Sequence, residues 1–371
     1  MIRFQIRNNP ITSKLIIIAA LVLIWLLMLW FIHYPNAVES YYSSGIYLGI
    51  CWILHPVFNL IPFSVGDVFY IALIIYGLYA LVKIIRWLVL KRFRVALIYC
   101  LKLIIGLQTL ILVFYLFWGL NYFRPSAAKR LALQDTSYTF NDIKAVTVML
   151  IDSANINRAR LNTIDLQQDN QAIYRSAENA ITNLSKNNPG FPAIHPRIKS
   201  SVLTYFMNYL GTEGDYNPFT SEAQLNYQMP VFLRPFTACH EMTHQMGFGA
   251  EDEANFGGFI AGVGSNDKLL RYSAYYSAME EFLFTVFRKD SLVYKNLRKR
   301  ISPQVMADRK TDRAYWKDFE GRAGVFSSIL YDHYLKTNNQ PQGLKTYNRM
   351  IRLVMAWYRK QPADKLYRKK E

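Results

Sequence analysis

The stretch Pro235-Phe236-Thr237-Ala238-Cys239-His240-Glu241-Met242-Thr243-His244-Gln245-Met246-Gly247-Phe248-Gly249-Ala250-Glu251-Asp252-Glu253-Ala254-Asn255-Phe256 decides how this chain is read. The chain has six histidines, and two of them stand four residues apart here. That spacing puts both imidazoles on one face of a helix, one turn apart, where they can share a single ion. Pro235 suits a first helical turn and Gly247 a left-handed stop just past the second histidine, so a helix is expected over 234–246. Glu241, turned about 100° from His240, stands beside such an ion as a general base for a water whose pKa the metal lowers.

A catalytic Zn2+ needs a third protein ligand and an open position. In one continuous helix Glu251 would lie about 10 Å along the axis from His244, too far for two ligands of one ion. The chain must therefore turn, and Gly247 and Gly249 supply the means. A second helix starting near Glu251 then aims its first turn back at the metal. Acidic residues in a first turn also favour the helix dipole, which accounts for Asp252 and Glu253. Glu251 is the favoured third ligand and Glu253 the alternative. Cys239 diverges from His240 by about 100° around the helix and reads as a buried structural cysteine.

Outward from this stretch, composition divides the chain. Residues 1–120 are overwhelmingly apolar and aromatic, with nine Lys/Arg against two Asp/Glu; residues 121–371 carry 34 against 24 and read as one soluble domain. Apolar runs at about 15–32, 69–85 and 95–120 are each long enough to cross a bilayer. The first is too long for a cleaved signal and lacks a small-residue cleavage site. Ile46–Ile61 is also apolar, but His55, Pro56 and Asn59 interrupt it, and it reads as an amphipathic piece on the outer leaflet.

Basic residues cluster before the first run (Arg3, Arg7, Lys14) and between the second and third (Arg86, Lys91, Arg92, Arg94), whereas 33–67 has none. That asymmetry predicts a cytoplasmic amino terminus and an extracytoplasmic domain, in the inner membrane and periplasm of a bacterium with two membranes. The net charge of +17 is spread thinly, and a basic domain tethered beside anionic headgroups accounts for it; no nucleic-acid partner is expected. Three cysteines build no disulfide framework.

His240–His244 followed by Glu251-Asp252-Glu253-Ala254-Asn255 resembles the glutamate-type zincins (gluzincins). The resemblance implies ligands His240, His244 and Glu251, the base Glu241, and Asn255 orienting a histidine ligand. The gap of six residues between His244 and Glu251 is much shorter than in most zincins of this type, so Glu253 stays open as third ligand. A metzincin is excluded, because Ala250 stands where its third histidine belongs. Pro218–Ala223, His240–Phe248, Glu251–Phe256 and Gly343–Tyr347 are also similar to an uncharacterised bacterial membrane family. That family has three amino-terminal spans and a zincin-like domain, and the resemblance covers essentially the whole chain.

The expected fold class is therefore α+β: a mainly helical zincin-like domain with a small sheet, behind three transmembrane helices. Ser221–Tyr227, with Gln224 and Asn226 as substrate-binding residues, reads either as the edge strand that lies beside an extended peptide or as an ordinary core strand. His333, Tyr334 and Tyr347 are candidates for oxyanion help, with Tyr347 first because of the family-like motif around it. His195 reads as structural.

Three functions fit: a peptidase acting on membrane-proximal or envelope proteins, a zinc amidase acting on cell-wall peptides, and a non-enzymatic membrane sensor or scaffold. Glu241 speaks against the last, since a purely structural zinc site has no use for a free carboxylate.

Overall fold

A computed structural model describes residues 9–133, 137–343 and 350–360. Helix α1 (Pro10–Phe31) begins where Asn9 caps its amide at Ile11. After a turn at 32–34 one unbroken helical run follows: α2 (Pro35–Ala37), a π-helical stretch, Val38–Ile46, and α3 (Tyr47–Asn59). Two long helices follow, α4 (Val65–Val89) and α5 (Phe93–Phe117). At ~1.5 Å per residue, α1, α4 and α5 are roughly 33 to 38 Å long, enough to span a ~30 Å hydrocarbon layer. Their apolar windows are almost wholly unburied within the protein. The chain is read as a membrane protein on these three helices.

The domain then runs through α6 (Ala127–Arg130), α7 (Phe140–Ala159), α8 (Asn170–Asn187), β1 (Ile198–Ser200), α9 (Thr204–Leu210), β2 (Gly214–Asn217) and β3 (Glu222–Leu225). It continues with α10 (Arg234–Gln245), α11 (Glu251–Val263), α12 (Lys268–Lys289), α13 (Ser291–Arg298), α14 (Pro303–Lys317), α15 (Arg322–Thr337) and α16 (Met350–Lys360). Helix α10 lies at the centre, with α8, α11, α12 and the sheet packed around it. Their apolar side chains, with those of α7 and the loop after α8, merge into one core that includes Ile143, Phe191, Met242, Phe256 and Phe282. The architecture is mainly helical with a small sheet, as expected.

The sheet decides between the two readings of Ser221–Tyr227. Its order is β1-β3-β2, with β1 parallel and β2 antiparallel to β3. Strand β3, read either as an edge or as a core strand, is paired on both sides, so no peptide can add to it. Gln224, opposite Asp215 on β2 and Lys199 on β1, is fully buried. Asn226 is spent on Asn208 Oδ1 and the Thr212 carbonyl. Strands β1 and β2 are the two edges.

Packing does not follow the division at residue 120. Tyr47, Cys51 and His55, on one face of α3, are buried against the domain: the Tyr47 hydroxyl donates to the Gln245 carbonyl at 2.8 Å, and His55 Nε2 meets Ser221 Oγ at 2.8 Å. The other face (Trp52, Ile53, Val57) is exposed. Buried Ser43, Tyr47, Cys51 and His55 hold this helical run to the domain, whereas α1, α4 and α5 stand almost wholly unburied. The first turn of α4 is clamped too: Glu222 accepts from the Gly66 amide at 2.7 Å while paired with buried Lys199. Asp67 accepts from Ser201 Oγ and the Val202 amide, both at 2.8 Å. The third helix stops at Phe117 rather than 120, because Trp118 turns into the domain and donates its indole N–H to the His244 carbonyl at 3.0 Å.

Candidate metal centre

Pro235 sits in the first turn of α10, and every residue from Pro235 to Gln245 is buried. The helix ends in a Schellman turn: the Gly247 amide donates to His244 O and the Phe248 amide to Thr243 O, with Gly247 at φ +78°, a conformation that favours glycine. Trp118 gives the His244 carbonyl a second donor, and Tyr47 satisfies the Gln245 carbonyl. Side chains from the membrane-anchored part thus take the place of water at the end of the histidine helix.

After the turn, α11 starts at Glu251 and packs back across α10. Gly257 and Gly258 allow this approach: a Cβ on Gly257 would come within 2.5 Å of the Thr243 side chain, and one on Gly258 within 3.1 Å of the His240 amide nitrogen. The outcome is convergence. Glu251 Oε2 lies 3.3 Å from His240 Nε2 and Oε1 lies 3.7 Å from His244 Nε2. One donor atom from each of the three residues falls within 4.8 Å of the others.

The outward ring nitrogens are already engaged. His240 Nδ1 is 2.7 Å from Asn255 Oδ1, and His244 Nδ1 is 2.7 Å from the Phe248 carbonyl. Each Nδ1–H donating outward leaves the Nε2 lone pair facing the shared point, the tautomer a metal ligand needs. Two imidazoles and a carboxylate with one open side fit zinc. Glu253, the alternative ligand, is turned away: it accepts from the Ala127 amide at 2.6 Å and pairs with Arg130 at 2.7 Å.

Glu241 Oε1 stands 4.0 Å from His240 Nε2 and lies against Gly214, where a Cβ would come within 2.4 Å of it. Burial, with Asp215, Glu251 and Glu213 adding negative charge, raises its carboxyl well above the ordinary range. Burial also pushes Glu213 and Asp215 up to about 7, with help from Asp312 and Asp67 respectively. Burial alone would raise Glu251, but His244 and His240 outweigh it and hold its carboxyl well below the ordinary range. Burial lowers His240; at His244 the charge of Glu251 overcomes burial and raises it. Carboxyls that burial and one another press towards the neutral form are groups whose ionised form a cation would stabilise.

The site opens into a cleft of about 710 Å³. Edge strand β2 forms one wall with Gly214, Asp215 and Tyr216, and Tyr70 and Phe114 of the long helices form another. Gln224 and Asn226 are absent from its lining, as is His333; Tyr334 lines it, and Tyr347 lies outside the described residues. Sequence reasoning missed Tyr331, one turn before Tyr334 on α15, whose hydroxyl donates to Glu251 Oε1 at 2.6 Å. Its i, i+3 relation to Tyr334 was the available signal. Cys239 is fully buried and directed away from the site, towards Ala177 O, while His195 meets Trp52 edge to face.

Fold and site together define a membrane protein whose mainly helical domain holds a buried His-His-Glu cluster at the ends of its long apolar helices. The chain belongs to the family described as protein of unknown function (DUF3810), which matches residues 42–355. No curated protein and no solved structure matches it.

Proposed function

We propose that this protein is a membrane-anchored zinc metallopeptidase of the glutamate-type zincin class, with its domain on the extracytoplasmic side. The observation that carries this reading is the convergence of His240 Nε2, His244 Nε2 and the Glu251 carboxylate on one point, with the Glu241 carboxylate beside it. The sidedness rests on the basic residues at the far ends of α1, α4 and α5.

His240, His244 and Glu251 would hold Zn2+, which when bound supplies a Lewis acid and lowers the pKa of a water to near 7. Asn255 and the Phe248 carbonyl keep the two rings in register, and Tyr331 holds the Glu251 carboxylate by its hydrogen bond. Glu241 takes the proton of the attacking water at its carboxylate and passes it to the leaving nitrogen. The open edge of β2 offers backbone groups to an extended peptide, which favours a peptide over other amides. The aromatic wall excludes water and strengthens these interactions.

The test compares amino-terminal peptides of cell envelopes carrying the wild type with those carrying Glu241→Gln, the variant chosen because it keeps the ligand set. New termini that depend on Glu241 are expected, and zinc content should be equal in both proteins. Identical terminal profiles with equal zinc would defeat the enzymatic reading and leave a metal-binding scaffold.

A further inference from the structure

Helices α9 and α15 show amphipathicity turned inside out. On α9, Thr204, Met207 and Asn208 are buried while Tyr205, Phe206 and Leu210 are exposed. On α15, Phe326, Ile329 and Leu330 are exposed, and Leu335 is the one buried side chain. These six apolar side chains are between 42% and 60% exposed on α9 and between 52% and 63% on α15. The two helices pack on each other, so the side chains form one surface rather than scattered exceptions. A continuous apolar face of this kind marks a contact surface.

Its place in the fold says what covers it. Val202, two residues before α9, donates its amide to Asp67 in the first turn of α4. At the other end, Tyr334 of α15 packs against Phe114 of α5, with ring centroids 6.3 Å apart. The face is therefore continuous with the domain-side ends of two membrane-spanning helices. The cleft to the metal centre lies between them, with Tyr70 and Phe114 on the span side and Leu210 and Ser328 on the α9–α15 side.

We infer that the α9–α15 face is set into the leaflet that surrounds the domain-side ends of α4 and α5, and that the cleft takes its substrate from that leaflet. The lipid contact follows from the placement of the face alone. The substrate, a polypeptide held at the membrane by its own apolar or lipid anchor, rests also on the peptidase reading above. Interfacial helices bury their apolar face in the headgroup and acyl boundary, and aromatic residues such as Tyr205 and Phe206 favour that depth.

The test uses the full chain in phosphatidylcholine–phosphatidylglycerol vesicles, with Cys100→Ser as background because Cys51 and Cys239 are buried. Spin labels are placed by Phe206→Cys and Phe326→Cys, with Ile75→Cys on α4 as lipid reference and Ile164→Cys as water reference. Collisions with oxygen should exceed those with a nickel chelate at 206 and 326, as at 75, and fall below them at 164. Nickel-chelate access at 206 and 326 equal to that at 164 would overturn the lipid contact. Protection from both reagents with spin–spin broadening would overturn it in favour of a second copy of this chain.

For the substrate, Glu241-dependent cleavage sites should fall within roughly ten residues (~30 Å of extended chain) of a membrane span or lipid anchor. Sites spread through soluble proteins would overturn the membrane-held substrate. An absence of Glu241-dependent sites would instead count against the peptidase reading and leave the spin-label result to decide the lipid contact.

Discussion

Glu251 and Glu253 stand two residues apart in the first turn of α11, yet the structure gives them opposite tasks. Replacing each with alanine separates the two. Glu251→Ala removes one of three convergent donors. Structural zinc sites of four ligands bind with an apparent ~10–16 kcal/mol, so one ligand is worth roughly 3–4 kcal/mol, on the order of a hundred- to a thousandfold in affinity. Glu253→Ala leaves the three donors in place. It strips Arg130, whose side chain is 7% exposed, of its carboxylate partner, and leaves the Ala127 amide without an acceptor.

An uncompensated buried charge of this kind costs about 3–5 kcal/mol, or on the order of 10 °C in Tm for a domain of this size. Contact of the Arg130 guanidinium with the Phe248 ring, at 4.4 Å, offsets part of that cost. Zinc is counted by mass spectrometry after dialysis against a competing chelator, and unfolding is followed in detergent with metal removed. Glu251→Ala should lose zinc; Glu253→Ala should keep zinc and lose Tm. The reverse pattern would refute the assignment of the third ligand and the bend that delivers it.

Three further outcomes are expected. Asn255→Ala frees the His240 ring and should weaken zinc binding about 10- to 100-fold without abolishing it, measured by chelator competition. Gly214→Ala drives a Cβ against Glu241 Oε1, and a base moved by about 1 Å should lower kcat about 100-fold with zinc content unchanged. Glu281 is pushed up to about 7 by burial, from an ordinary value of 4.5. Its folded state therefore binds protons more tightly, and stability is lost as pH rises from about 4.5 through 7. Glu281→Gln should raise stability by about 2 kcal/mol at pH 8, after allowance for partial exposure, and by progressively less towards pH 4.5; Tm against pH for both proteins checks it.

Much of the site was legible in the sequence because its parts are local. The i, i+4 spacing of His240 and His244, Pro235 at one end of the helix and Gly247 at the other are short-range signals, and α10 and the Gly247 turn form where those signals put them. Glu251 followed from a length argument: a straight helix would carry it out of reach, so a bend was required. Nothing local could decide between Glu251 and Glu253, since both suit a first turn. The close passage of α11 over α10 at Gly257 and Gly258, together with Arg130 claiming Glu253, sets them apart.

What the sequence determined by itself was whatever hydrophobic run length and helical period control: three spans, a mainly helical domain, and two histidines on one face. Tertiary structure alone decided which strand is an edge, because β2, the four residues Gly-Asp-Tyr-Asn, has no β-branched signature and acquires its identity by pairing with β3. It also brought Tyr331 to Glu251 across 80 positions of sequence, and turned one face of α3 and the Trp118 indole into supports for the histidine helix. Those contacts join residues 80 or more positions apart, and the partner of such a contact leaves no periodic trace in the segment that makes it. Helical period follows from neighbours a few residues away, whereas edges and walls exist only once distant segments have packed.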